Sequence, residues 1–169
     1  ISNHFGSQYA GMEIEYVVED TPLGTGGAIR LAFEACTNDH VFVFNGDTYQ
    51  DLELELLAHE YQKNHRPIVV GRFVSDTTRY GRLVVKGKQI ISFNEKGLSG
   101  PGIINTGCYV LPTNALEQFS LGSAFSIETD YFMPSVPDAI VEVFVTEGMF
   151  IDIGIPEDYL LAQTLLAGL

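Results

Sequence analysis

Two aspartates are the residues of this sequence best placed to do chemistry. Asp47 follows the apolar run Val41–Phe44 after Asn45 and Gly46, and Asp152 sits inside the apolar stretch Met149–Ile155, 105 positions later. A carboxylate in such a context must be hydrogen-bonded, paired or metal-bound, because an uncompensated buried charge is costly. Two such acids from distant segments could meet around one hard cation such as Mg²⁺, which prefers oxygen ligands. The plainer alternative is a pair of turn or helix-capping acids, since Asp is favoured just before a helix.

A second candidate is the stretch Leu23-Gly24-Thr25-Gly26-Gly27, which leads into a helical pattern. Its glycines could bring backbone amides against a flat or anionic ligand at a helix start. It is neither a Gly-x-Gly-x-x-Gly fingerprint nor a Walker loop, so the usual dinucleotide and P-loop readings fail. A plain, closely packed strand-to-helix turn is the alternative.

Cations are scarce, with 9 Lys and Arg against 22 Asp and Glu and a formal net charge of −13, so their placement matters. Lys96 directly follows a strand pattern and could offer a point charge to phosphate. Its neighbour Glu95 could accept hydrogen bonds from hydroxyls; a solvated surface pair is the alternative. Arg79-Tyr80-Gly81 is a similar candidate at a strand entrance. In Asn105-Thr106-Gly107 a glycine interrupts an apolar strand, a frequent mark of close approach by another group. The four histidines have no ligand spacing, and Cys36 and Cys108, among apolar neighbours, read as core residues rather than nucleophiles.

The elements that must position these residues follow from periodicity. Residues 12–18 begin by alternating apolar and acidic and end in an apolar run, and read as a strand that comes to bury both faces. Residues 28–36 read as a helix, Val41–Phe44 as a buried strand, residues 52–61 as an amphipathic helix and Pro67–Phe73 as another strand. This alternation predicts an α/β, Rossmann-like domain with a mostly parallel central sheet. Residues 81–93 read as a hairpin with a tight glycine-containing turn, a β-rich insertion in that domain. Strands are expected at 103–111, 140–145 and 149–153, and short helices at 112–119 and 125–132. A last helix begins at Pro156, where proline at the first helical position and acids in the first turn are favourable.

Apolar residues make up 46% of the 169, enough for a core of one domain. The acidic balance argues against a nucleic-acid footprint or an anionic membrane surface as partner. No apolar run approaches the roughly 20 residues of a membrane span, and two cysteines are too few for a disulfide scaffold. A cytoplasmic protein is the expectation.

Taken in order, the stretches 19–28, 44–47, 80–81, 95–96, 105–107, 125–128 and 151–159 resemble those of the sugar-phosphate nucleotidylyltransferases. Enzymes of that family make nucleotide-sugars from a nucleoside triphosphate and a sugar 1-phosphate. The resemblance implies roles residue by residue. Leu23, Gly24, Thr25, Gly26, Gly27, Asn45 and Gly46 would lie on the nucleotide. Asp47 and Asp152 would hold Mg²⁺ beside the triphosphate. Tyr80, Gly81, Asn105 and Gly107 would shape the sugar pocket, with Glu128 at its floor. Glu95 would bind sugar hydroxyls, and Lys96 would contact the sugar or its phosphate and take part in catalysis with the two aspartates.

The family begins with a glycine-rich strand-to-helix loop bearing a basic residue and a Pro-Lys-Pro-like segment, which wrap the triphosphate. The resemblance therefore implies that residues 1–169 are a nucleotidyltransferase domain lacking that N-terminal βα portion, and that they alone bind triphosphate poorly. Self-association into a homo-oligomer stays open. So do two other functions: a glycosyltransferase of similar architecture, and a regulatory subunit that binds a nucleotide-sugar without turning it over.

Overall fold

The computed structural model describes residues 1–94, 97–138 and 140–168. Its strands are β1 (Gln8–Tyr9), β2 (Met12–Glu13), β3 (His40–Phe44), β4 (Thr48–Gln50), β5 (Ile68–Val74), β6 (Arg82–Lys86), β7 (Gln89–Asn94), β8 (Gly102–Pro112), β9 (Glu142–Thr146) and β10 (Phe150–Asp152). Its helices are α1 (Ser2–Phe5), α2 (Gly24–Ala32), α3 (Leu54–Asn64), α4 (Met133–Ser135) and α5 (Pro156–Leu165). A 3₁₀ turn at Phe33–Ala35 extends α2, and a π-helical turn at Ile127–Phe132 leads into α4.

The apolar strand β8 organises the sheet. One of its edges is taken by β5; the other is shared, with β3 on Cys108–Pro112 and β6 on Ile103–Ile104. The order is β3-β8-β5-β9-β7-β6, and the return of β6 to β8 closes five of these strands into a small barrel. Among the described residues β5 and β9 are the parallel pair, and the other pairings are antiparallel.

The mostly parallel, Rossmann-like sheet expected from the sequence is thereby overturned: the sheet is mixed and largely antiparallel. The strands β3 and β5 do point the same way and are joined across α3, but β8 lies between them, antiparallel to both. Continuous apolar runs suggested parallel pairing because parallel strands are normally covered on both faces. Here the same double coverage arises in a closed, antiparallel arrangement. Along β8, Tyr109 and Leu111 join one core with Ile127 and Phe132, while Cys108 and Val110 join a second with Leu57 and Tyr61 of α3. The expected hairpin at 81–93 forms as β6 and β7, but it completes the barrel instead of standing apart as an insertion.

Three local expectations also change. Of residues 12–18 just Met12 and Glu13 pair, and Val18 is 81% exposed, because a strand needs a neighbouring edge and no described strand pairs with residues 14–18. Residues 113–119 form successive i→i+3 turns rather than a helix, pinned at their start where Thr113 N–H donates to Asp39 O. Cys36 is exposed, whereas Cys108 is buried. No helix among the described residues is long and apolar enough to cross a membrane.

Leu57 is fully buried between α3 and the sheet, whereas its neighbour Leu56 is 54% exposed. In urea titrations, Leu57→Ala should lower the unfolding free energy by about 2–5 kcal/mol through lost burial and a residual cavity. Leu56→Ala should change it by less than about 0.5 kcal/mol.

Candidate active site

The shared edge of β8 creates the site. Between Ile104, where β6 pairs, and Cys108, where β3 ends, the residues Asn105–Gly107 face neither strand in regular register. Their backbone is satisfied locally: Asn105 N–H donates to Gly81 O (3.0 Å), and Asn45 N–H donates to Gly107 O (2.9 Å). The Asn105 side-chain oxygen accepts from Gly107 N–H at 3.0 Å. Gly107 adopts φ +74°, and a Cβ there would stand 2.2 Å from Asn45 Nδ2, so the strand ends can converge at this point with glycine alone.

Asp47 and Asp152 arrive from the β4–β10 ladder. Asp152 pairs with Thr48, and Ile153 N–H donates to Asp47 O at 2.9 Å, which sets the two acids on adjacent backbone segments. One oxygen of Asp152 accepts from Gly154 N–H at 2.8 Å, and among the described residues no side chain or amide binds the Asp47 carboxylate. Both line a cleft of about 280 Å³ together with Asn45, Tyr80, Gly81, Asn105, Gly107 and Glu128. Gly46, between Asn45 and Asp47, has open space where a Cβ would stand. A second, more apolar cleft of about 380 Å³ shares Gly81, Asn105 and Glu128 with the first and continues past Phe93, Thr129 and Met133.

The rim is braced by aromatic and ionic contacts. The Tyr80 ring meets Phe150 edge-on at 5.9 Å, and burial raises its phenol above the ordinary range. The Arg79 guanidinium binds Asp158 of α5 at 2.6 Å, which raises its already high pKa. Cys108, buried in the core under α3, has its thiol pushed up to about 12 by burial, which disfavours the reactive thiolate.

Of the sequence-expected residues, the structure gathers Asp47, Asp152, Asn45, Tyr80, Gly81, Asn105, Gly107 and Glu128 into one cleft. Leu23, Gly24, Gly26 and Gly27 do not line it. They form the start of α2, which begins at Gly24 instead of after a loop, and Gly26 N–H donates to Phe125 O at 3.0 Å. A Cβ on Gly26 would lie 2.2 Å from the Phe125 ring, so close packing is one reason for glycine there. Thr25 does not line the cleft either, but it touches a residue that does, donating to Glu128 at 3.1 Å. Glu95 and Lys96 lie outside the described residues.

One cleft residue the sequence reading missed is Tyr109. Its phenol donates to Glu128 (3.0 Å) and accepts from Asn105 Nδ2 (3.1 Å), and burial raises its pKa far above the ordinary value. The available signal was a tyrosine inside an apolar run, since a buried phenol needs a partner. Thr48, Phe150 and Met133 left no comparable trace.

Three carboxylates, Asp47, Asp152 and Glu128, line the cleft. No group of three or more His, Cys, Asp or Glu side chains able to hold a metal occurs among the described residues. Two aspartates and open space nonetheless suit a hard cation that keeps water or phosphate oxygens in its remaining positions, the usual habit of Mg²⁺.

The chain is similar to known proteins along nearly its whole length. The nucleotidyl transferase family model matches residues 1–167. The chain is 35% identical over 164 residues to D-glycero-α-D-manno-heptose 1-phosphate guanylyltransferase of Aneurinibacillus thermoaerophilus, covering 96% of this chain and 71% of that protein. It is 34% identical over 161 residues to the enzyme of the same name from Campylobacter jejuni, covering 94% and 70%. The structure of HddC from Yersinia pseudotuberculosis complexed with GMP-PN superposes with a TM-score of 0.80 at 36% identity, covering 91% of this chain and 67% of that one.

The Gly107 geometry gives a direct test. Gly107→Ala should cost about 1–3 kcal/mol of stability from the left-handed backbone alone, plus displacement of Asn45, whereas Gly46→Ala should leave stability almost unchanged. Urea denaturation of the two variants measures the difference.

Proposed function

The chain belongs to the nucleotidyl transferase family, and we propose that it joins GTP to D-glycero-α-D-manno-heptose 1-phosphate, giving the nucleotide-sugar and pyrophosphate. The observation that carries this reading is the convergence of Asp47 and Asp152, 105 positions apart, on one cleft with Asn105 and Glu128. The choice of base and sugar is supported by the names of the two guanylyltransferase relatives and by the nucleotide in the Yersinia structure.

In this reaction an oxygen of the sugar's own phosphate attacks the α-phosphorus of the triphosphate. The bond from that phosphorus to the bridging oxygen breaks, and pyrophosphate leaves with the electron pair. The nucleophile is already anionic, so no general base is required, in keeping with a sequence that holds no nucleophilic triad. The protein's task is to bring two anions together in line. Asp47 and Asp152 would hold Mg²⁺, whose charge, when bound, offsets that of the phosphoryl oxygens. Glu128 and Asn105 would take sugar hydroxyls, with Tyr80 and Gly81 as the wall of the sugar pocket. Asn45, Gly46 and the first turn of α2 would flank the nucleotide. A cytoplasmic location suits substrates of this kind.

The test is pyrophosphate release by the protein, as its gene encodes it, over a grid of nucleoside triphosphates and sugar 1-phosphates. GTP with the heptose 1-phosphate should give the highest kcat/KM; a different best pair would correct the substrate, and no release from any pair would remove the activity. Asp47→Asn and Asp152→Asn should each lower turnover by at least about 10²-fold, the scale of removing one electrostatic stabiliser, at unchanged Tm.

A further inference from the structure

The hydroxyl of Thr25 is committed in both directions. It accepts from Ile127 N–H at 3.0 Å and donates to Glu128 Oε2 at 3.1 Å. The same carboxylate oxygen accepts from the Ser126 hydroxyl at 2.9 Å, and Oε1 accepts from the Tyr109 phenol at 3.0 Å. Three hydroxyls, from the first turn of α2, the residue before the π-helical turn and the middle of β8, therefore orient one carboxylate. An ionised carboxylate offers about four lone-pair sites, two on each oxygen, so with Oε2 accepting twice it is Oε1 that keeps acceptor capacity for a ligand.

The first turn of α2 cannot drift from this arrangement. Phe125 N–H donates to Leu23 O at 2.9 Å and Gly26 N–H donates back to Phe125 O at 3.0 Å, with the Phe125 ring filling the space that a Gly26 side chain would need. Thr25 is thus clamped beside Glu128 although 103 positions separate them and the threonine itself is exposed. Glu128 lines both the polar cleft and its apolar continuation.

We infer that Thr25 is a positioning residue for the sugar side of the cleft: its hydroxyl sets the Glu128 carboxylate instead of contacting the nucleotide, an inference that rests on the reading in which Glu128 meets the sugar. The glycine-rich start of α2 then serves two substrates at once, its backbone flanking the nucleotide and its one hydroxyl steering a group that binds the other. A hydrogen bond to a charged group is strong enough for its loss to be read kinetically.

The experiment measures KM for the heptose 1-phosphate and for GTP separately, by pyrophosphate release. Thr25→Val, which keeps the side-chain shape and removes the hydroxyl, should raise KM for the sugar phosphate about 10-fold, leave KM for GTP within about twofold, and leave Tm unchanged. Thr25→Ser should restore the sugar KM, which a merely structural role would not require. In a Glu128→Ala background, Thr25→Val should add nothing, since the two act as one unit. A rise in KM for GTP alone, an additive effect in that background, or no change in either KM would overturn the inference. If Glu128→Ala itself left the sugar KM unaltered, the fault would lie in the role given to Glu128, a separate outcome.

Discussion

The strand β8 has two edges and three partners, and the site is a consequence of that mismatch. With β5 along one edge, β3 and β6 must divide the other, and they meet it on either side of Asn105–Gly107. Backbone groups in such a gap cannot stay unpaired. They are satisfied by Gly81, by Asn45 and by the side chain of Asn105 itself, while the Thr106 hydroxyl turns to Val70 O at 2.9 Å. Polar residues interrupt the apolar run at this point because the ladder does. The cleft they line is a fork between strands, floored by the network that reaches Tyr109 and Glu128.

The same fork explains the balance of charge. The carboxylates of Asp47, Asp152 and Glu128 face one space, and Arg79 at its rim is held by Asp158. A lining of this sign repels a phosphate unless a cation intervenes, and at separations of a few ångströms that repulsion is worth several kcal/mol when water is excluded. An acidic chain with net charge −13 therefore remains compatible with phosphate-bearing substrates. It is incompatible with a broad polyanion surface, which would need clustered cations.

Much of the candidate cleft's lining was legible in the sequence because its residues sit at strand ends or break apolar patterns. Asp47 and Asp152 stood out as charges in apolar company, and Gly107 as a glycine inside a strand. The structure puts all three on one cleft. The glycines at 24–27 were also conspicuous, but spacing could not say that Gly26 makes room for Phe125, a residue 99 positions away. Tyr109 was hidden because it shares a strand with Cys108 and Val110, whose burial is ordinary, and its carboxylate partner Glu128 comes from a different element.

By itself the sequence determined where most of the longer strands and helices would lie, which residues carried charge into apolar surroundings, and a motif order characteristic of one enzyme family. Apolar periodicity records how deeply a residue is buried and on how many faces, so these features are written locally. Strand pairing is written nowhere locally: a strand covered on both faces has the same composition whether its neighbours run parallel or antiparallel. The tertiary structure alone decided that β8 lies between β3 and β5, that β6 returns to close a barrel, and that Thr25, Tyr109 and Glu128 share hydrogen bonds. Those arrangements depend on which distant backbone edge and which hydroxyl become adjacent once the chain has folded.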